Sequence, residues 1–395
     1  MGSDGVTELV LERWATGGTC IAHADNQTWF VKYGAPGERV RVVVTRRAHG
    51  VVHADVIDVV SASPARVAPP CTNFGHGRCG GCDLQHVSLP EQGLAKRSIV
   101  VDCLIRIGGM DRDHVESAVG TTEQVPGSLD GLRWRTRMTA RRTSIGIGLH
   151  RARSHELVDV SDCPITSTAV VGAVHEVVAP GLEFRAAEGT DGRVGIDTAA
   201  GSARVTQTVQ TPRGVCTWSL PASAFWQVHR GFPQFLGDIV LRIAQPGPGD
   251  TWWDLYAGAG LIAAFLDGAG VARVEAVESD ERAVKAARRA LHDRGGVALH
   301  HRAVSAWLDS QRTPPAGVVL DPPRRGCGPE VVDKLVAFQV PQIVYVACDP
   351  AAFARDATRF VRAGYRLVHA VPIDAFPMTH HVETVALLVH GDRLS

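Results

Sequence analysis

Apolar and polar positions change rhythm twice along this 395-residue chain. Over the first 65 residues, short β-branched runs (Val6 to Leu11, Trp29 to Lys32, Val40 to Thr45, Val51 to Val60) alternate with turn-forming clusters. These clusters are Gly17-Gly18, Asp25-Asn26, Gly34-Ala35-Pro36-Gly37 and His49-Gly50. Strands at that spacing predict a small barrel or sandwich. Residues 92–118 carry a helical pattern, and the chain from there to Pro221 is β-rich with glycine-containing turns. From Asp250 strands and helices alternate, which predicts a doubly wound parallel sheet. Three units follow. They are a β-barrel over 1–65, a β-rich central unit over 66–220 whose segment 92–118 is free to pack on a neighbour, and an α/β unit over 221–395.

The α/β unit holds the turns with chemical content. Trp252-Trp253-Asp254-Leu255 reads as a strand opening into Tyr256-Ala257-Gly258-Ala259-Gly260, followed by a helix from Leu261 to Asp267. Glycines there let the backbone approach a ligand at a helix N-terminus. About twenty residues on, Val274 to Glu278 is a strand ending in an acid, the position at which acids hold ribose hydroxyls. Ala263 stands where a dinucleotide fingerprint has its third glycine, which tilts away from NAD. The strand Gly317 to Leu320 runs into Asp321-Pro322-Pro323-Arg324-Arg325-Gly326. The strand Ile343 to Ala347 stops at Cys348-Asp349-Pro350, because proline cannot continue it. Open α/β sheets bind ligands at the carboxyl ends of their strands. That places Cys348 where such sheets keep their ligand sites, although from its own window it reads as one more small buried residue.

Charge adds little at first. Lys+Arg and Asp+Glu both number 41, so the chain is neutral overall and any nucleic-acid contact must come from local patches. The densest patch is Arg133-Trp134-Arg135-Thr136-Arg137, whose period of two puts three arginines on one strand face. Arg141, Arg142, Arg151 and Arg153 bring the count to seven within 21 residues. Phosphate contact is the expectation, with a solvated edge strand as the plainer alternative. Arg39, Arg41, Arg46 and Arg47 give the first unit a basic surface. No apolar run approaches the roughly 20 residues of a membrane span. The start Met1-Gly2-Ser3-Asp4 has neither a basic nor an apolar leader region, so a cytoplasmic protein is expected. No membrane contact and no obligate protein partner are evident.

Cysteine spacing changes the picture more. The nine cysteines, without a secretion signal, read as metal, catalytic or core residues rather than disulfides. Cys71, Cys79 and Cys82 fall within twelve residues, with Gly80-Gly81 between the last two. Glycines allow the tight bends that aim several sulfurs at one point. Cys163, before Pro164 in Val160-Ser161-Asp162-Cys163, is the best fourth ligand. Structural zinc commonly pairs two Cys-x2-Cys knuckles, and only one is present. A three-plus-one set suits a [4Fe–4S] cluster better, with zinc as the alternative. Cys20, Cys103 and Cys216 are assigned to packing.

These motifs together resemble a known family. Gly17-Gly18, Trp29-Phe30-Val31 and Pro36-Gly37-Glu38-Arg39-Val40 resemble a TRAM domain, an OB-like barrel found on RNA-modifying enzymes. Asp321-Pro322-Pro323 resembles the turn of S-adenosylmethionine (SAM) methyltransferases acting on planar nitrogen heterocycles or amides. The cysteine set, Phe225-Trp226-Gln227, Asp254 to Gly258, Tyr345-Val346-Ala347-Cys348 and Phe376-Pro377-Met378-Thr379-His380-His381-Val382-Glu383 complete the likeness, in order along the chain. The chain is similar to class I SAM-dependent RNA methyltransferases of the uracil-5-methyltransferase family, above all the rRNA branch with a TRAM domain and an iron–sulfur cluster.

That resemblance implies C5 methylation of a uridine, in 23S rRNA rather than tRNA. It makes Cys348 the nucleophile and Glu383 the base, and it places Gln227, Tyr256, Gly258, Glu278 and Asp321 around SAM. The chemistry requires such a pair. Uracil C5 is a poor nucleophile until a thiolate adds to C6, and a base must then remove the C5 proton. An N-methyltransferase using Asp321-Pro322-Pro323 and an RNA-binding chaperone with a degenerate SAM fold are the competing readings. The chain departs from the family pattern at Asp349 and His229, where Asn is usual, and at Leu261 and Ala303, where polar residues are common.

Overall fold

The computed structural model describes residues 6–48, 50–128, 130–160 and 162–391. Met1-Gly2-Ser3-Asp4, His49 of a predicted turn, Ser161 of the Cys163 motif and residues 392–395 lie outside the described residues. Strands β1 (Thr7–Val10), β2 (Arg13–Ala15), β3 (Thr19–Ala24), β4 (Gln27–Lys32), β5 (Arg39–Ala48) and β6 (Val51–Ser61) form one curled sheet in the order β1-β5-β6-β4-β3-β2. Its inward positions bury Trp14, Trp29, Val31, Val40 and Val42. The turn Gly34 to Gly37 is fixed from below by fully buried Glu38. Its carboxylate accepts from the Ala35 N–H at 2.9 Å and from Arg66 at 2.5 and 2.7 Å.

The central unit is an antiparallel sheet of β8 (Arg137–Arg142), β9 (Ile147–His150), β10 (Leu157–Val160), β11 (Glu183–Glu188) and β12 (Val194–Asp197), after β7 (Glu123–Gln124) in the chain. The helix Thr168–Val177 packs Val170 and Val174 against Phe184 and Ile147. Here the arginine alternation does not become one strand face. Trp134 is buried against His229 and Phe376, Arg133 turns left-handed at φ +54, and β8 starts only at Arg137. Arg133 forks onto Asp162 at 2.5 and 2.6 Å. Arg135 folds back onto the Arg137 carbonyl at 2.9 Å. Arg137 is buried and donates to the Ala222 and Ala224 carbonyls. The period-two pattern holds only while the chain stays extended, and the left-handed turn at Arg133 ends that.

Earlier and later segments share the core of the α/β unit. The helices Leu89–Arg106 and Arg112–Ala118 carry Ile99, Val100, Leu104 and Val115 into the cluster that also holds Trp253, Leu320 and Tyr345. The hairpin β13 (Arg204–Thr211) and β14 (Gly214–Pro221) carries Trp218 and Leu220 into the cluster on the opposite face. Between these layers runs an eight-stranded sheet of β7, β15 (Thr251–Leu255), β16 (Arg273–Glu278), β17 (Val297–His301), β18 (Gly317–Leu320), β19 (Gln342–Ala347), β20 (Tyr365–Asp374) and β21 (Glu383–His390). Its order is β17-β16-β15-β18-β19-β21-β20-β7, and β21 alone runs against its neighbours. Near-continuous Val, Leu and Ile runs suit strands covered on both faces. The strand order reverses between β15 and β18, so a ligand crevice is expected at their carboxyl ends.

Candidate active site

The sheet brings most of the predicted site residues to one edge. β15 ends at Leu255, and Tyr256 follows in the left-handed region at φ +66. Gly258 has φ +53 and open space where a Cβ would stand. Gly260 serves packing instead, because a Cβ there would lie 2.8 Å from Leu291 Cδ1. Glu278, at the end of β16, reaches across to this turn and accepts from the Gly258 N–H at 2.9 Å. Its other oxygen accepts from the N–H groups of Ser279 and Asp280, at 2.6 and 2.7 Å. Beneath the turn, fully buried Asp254 accepts from the Ala263 N–H at 2.9 Å through one oxygen, and its other oxygen has no protein partner. Burial, then the charge of Asp321, pushes the Asp254 carboxyl up to about 8. Asp321 itself, just past β18, is pushed up to about 7 by burial and by Glu278. Acids, an open glycine turn and an unpartnered carboxylate oxygen suit a bound nucleoside carrying a positive sulfonium. Gln227 lies in the half-buried loop before the helix Phe232–Ala244, beside Phe225, which is 78% exposed.

Cys348 and Glu383 face each other at the same edge. The β19–β21 ladder pairs Ala347 with Thr384, so one further step sets Cys348 opposite Glu383. Residues opposed in an antiparallel pair project to the same side. Cys348 is half-buried and Glu383 is 6% exposed. Burial, then the charges of Glu383 and Asp321, pushes the Cys348 thiol up to about 12, against the pull of Arg324. Burial and Asp321 likewise push the Glu383 carboxyl up to about 8, again opposed by Arg324. The two groups titrate as a coupled pair in which a thiolate beside a carboxylate is disfavoured. A positive ligand at this edge lowers both.

Asp349, the departure next to Cys348, has a local explanation. It is the N-cap of the helix Pro350–Arg362, and its carboxylate accepts from the Ala352 N–H at 2.7 Å. Asp and Asn cap helices about equally well. The negative charges that act on Cys348 come from Glu383 and Asp321. His229, the other departure, is fully buried, stacks on Trp134 and accepts the Gly231 N–H at 3.1 Å through Nδ1.

The cysteine set converges elsewhere. Cys71, Cys79, Cys82 and Cys163 line one small cavity with Phe74, Leu149 and Ile165. Gly80 makes the bend possible, since a Cβ there would lie 2.9 Å from the Ala152 Cα. Gln85 accepts the Cys71 N–H at 3.1 Å. Among the described residues, no three His, Cys, Asp or Glu side chains meet closely enough to hold one metal ion. Cys20, Cys103 and Cys216 are buried in the apolar cores, as expected.

The likeness to known proteins now has a geometry to attach to. A family model described as tRNA (Uracil-5-)-methyltransferase matches residues 308–390, and one described as TRAM domain matches residues 8–57. An uncharacterized RNA methyltransferase of Streptomyces avermitilis is 34% identical over 95% of this chain and 96% of its own length. The 23S rRNA (uracil(1939)-C(5))-methyltransferase RlmD of Halomonas elongata is 32% identical over 99% of this chain and 91% of its own. The chain belongs to the RNA uracil-5-methyltransferase family. The crystal structure of the Pyrococcus abyssi tRNA (uracil-54, C5)-methyltransferase, in complex with S-adenosyl-L-homocysteine, shares the fold. Its TM-score is 0.70 at 22% identity, over 97% of this chain and 100% of that one.

This SAM-dependent methyltransferase also contains site residues that the sequence did not single out. Arg324 stood inside a quoted motif without a role, yet its charge acts on both Cys348 and Glu383. Asp254 was read only as part of a strand. Asp356 is about two helical turns past the cap of the helix Pro350–Arg362. It accepts from the Cys327 N–H and from the Tyr345 hydroxyl, both at 2.7 Å, and so ties the Asp321 turn to the strand that ends at Cys348. No sequence signal marks that link, because its partners are 29 and 11 residues away. Among the described residues, no helix is long and apolar enough to cross a membrane.

Proposed function

We propose that this enzyme methylates C5 of a uridine in 23S rRNA, with Cys348 as nucleophile and Glu383 as base. The observation that carries the reading is that Cys348 and Glu383 flank the last pair of the β19–β21 ladder, Ala347 with Thr384, close enough for the Glu383 charge to act on the thiol, beside the Asp321 turn. The Cys348 sulfur adds to C6, and the resulting enolate carbon C5 takes up the methyl group that SAM supplies. Glu383 then removes the C5 proton, the C5–C6 double bond re-forms and the thiolate departs. Arg324 offsets the two negative charges while this happens. Tyr256, Gly258, Glu278, Asp321 and Gln227 would hold SAM, with Asp254 shaping the turn from below. Because C5 is covered inside a base stack, the uridine has to be turned out of its strand or lie in a loop. Arg46 and Arg47 of the first unit would supply phosphate contacts around it, whereas Arg39 and Arg41 pair with Glu8 and Asp58, and Arg133, Arg135 and Arg137 are engaged within the protein.

Cys71, Cys79, Cys82 and Cys163 would hold a [4Fe–4S] cluster. Four thiols lining one cavity, three from the loop 71–82 and one before Pro164, suit a three-plus-one [4Fe–4S] arrangement. Such a cluster ties the loop 71–82 to the turn at Cys163 and orders the fold, since methyl transfer requires no electron. The choice of 23S rRNA is supported by the full-length likeness to the Halomonas elongata enzyme. The Pyrococcus abyssi neighbour acts on tRNA, so both RNAs belong in the test. Incubation with unmodified rRNA and tRNA, followed by mass-spectrometric mapping, is expected to find 5-methyluridine in 23S rRNA and none with Cys348→Ala. Methylation of a nitrogen, or activity surviving Cys348→Ala, would overturn the reading.

A further inference from the structure

The loop that leads into Glu383 is held from outside the catalytic unit. Met378 sits in the left-handed region at φ +69. Its carbonyl accepts from the N–H groups of Asp83 and Leu84, at 3.1 and 3.0 Å, and its own N–H donates to Gln92 at 2.8 Å. Lys96 holds the Phe376 carbonyl at 3.0 Å. Two residues past Met378, His380 Nδ1 meets Asp83 Oδ2 at 2.5 Å, and Lys32 of β4 donates to the other Asp83 oxygen at 2.7 Å. Gly18 of the barrel closes over this junction, since a Cβ there would lie 2.9 Å from the His380 Cβ and 3.0 Å from that of Asp83. Barrel, cysteine loop and catalytic loop therefore meet on one carboxylate. It immediately follows Cys82, and its partner His380 stands three residues before Glu383.

We propose that Asp83, acting through His380 and the Met378 carbonyl, is a positioning residue for Glu383, by which the barrel and the cysteine loop govern removal of the C5 proton. The inference rests on the reading of Glu383 as base. In that step the carboxylate takes the C5 proton, the C–H electrons form the C5–C6 double bond, and the C6–S bond breaks with its electrons returning to sulfur. A displaced Glu383 leaves methylated RNA attached to Cys348, while addition and methyl transfer proceed.

The test compares full-length wild-type protein, Asp83→Asn, His380→Asn and Glu383→Gln, each checked for iron content and thermal melting. Adducts with labelled SAM are quenched in detergent and separated on a denaturing gel. RNA carrying 5-fluorouridine has no C5 proton to remove and reports addition and transfer alone. Asp83→Asn and His380→Asn are expected to form the fluorouridine adduct at the wild-type rate. They are expected to release methylated uridine RNA on the order of tenfold more slowly, as misplaced catalytic groups do. His380→Asn leaves the cysteine loop untouched and carries the test if Asp83→Asn fails to fold. Wild-type release in these variants, or equal slowing of fluorouridine adduct formation, would overturn the proposal. Release by Glu383→Gln at the wild-type rate would instead sink the reading of Glu383 as base.

Discussion

Two groups of buried or half-buried carboxylates are treated in opposite ways. Glu38, Asp83 and Asp374 each have a cation within hydrogen-bond reach, namely Arg66, Lys32 and Lys96. Burial alone would raise Glu38 and Asp83, but these partners and nearby N–H donors outweigh it and hold both below the usual carboxylate range. Asp254, Asp321 and Glu383, at the strand ends, form no ion pair among the described residues. Burial pushes them up to about 8, 7 and 8. The first group builds the molecule. On the proposed reading, the second keeps unbalanced acidity where a positive cofactor and a proton would be handled, since perturbed carboxylates cluster at functional sites.

The sharpest way to break that comparison is at the thiol the second group surrounds. Cys348→Ala is expected to lower methyl transfer by about 10⁴ or more, as loss of an essential nucleophile does, with SAM binding by calorimetry unchanged. Removing the proton acceptor with Glu383→Gln should cost turnover roughly 10²–10⁴-fold, the usual contribution of a general base, in a steady-state assay. In the structural group, Lys96→Met strands Asp374 without its partner in the core. Urea unfolding is expected to show a loss of about 3–5 kcal/mol, largely recovered in Lys96→Met with Asp374→Leu. Asp349→Ala removes only a helix cap and should cost about 1 kcal/mol, whereas Asp349→Asn should be nearly neutral.

The pH response separates the two groups by sign. Asp321 has a folded value of about 7 against an ordinary 3.8. Between those values the folded protein retains a proton that the unfolded chain has lost, so this group's contribution falls as pH rises through the window. Asp321→Asn should flatten that decline in melting temperature. Glu38 has a lowered folded value, so its contribution is present above the ordinary 4.5 and is lost as pH falls below it. Glu38→Gln should remove that acid-side loss. As a base, Glu383 must be ionised, so kcat/KM should climb with pH toward about 8.

Legibility differed between these regions for physical reasons. The strand ends could be read because short β-branched runs stop at Gly, Pro or acids, and a parallel sheet brings such ends to one edge. Cys348, Glu278 and Asp321 were visible that way, Cys71, Cys79 and Cys82 through their spacing, and Cys163 only through its turn context before Pro164. The arginine run misled because period-two spelling assumes an extended chain, and the left-handed turn at Arg133 breaks it. The barrel and helix contacts behind Glu383 were not legible at all. Lys96 looks like an ordinary helical lysine until it reaches Asp374, 278 residues away, and nothing local marks Asp83 as the partner of His380. Such pairs are set by tertiary packing and leave no periodic trace.

The central claim is that Cys348 and Glu383 act in succession on one uridine carbon. It is tested most directly by trapping Glu383→Gln with unmodified rRNA and labelled SAM, then digesting the product for mass spectrometry. The account predicts a denaturation-resistant adduct carrying one transferred methyl group, with the RNA joined to the peptide that contains Cys348. Free methylated RNA without an adduct, or a methyl group on a ring nitrogen, would contradict it.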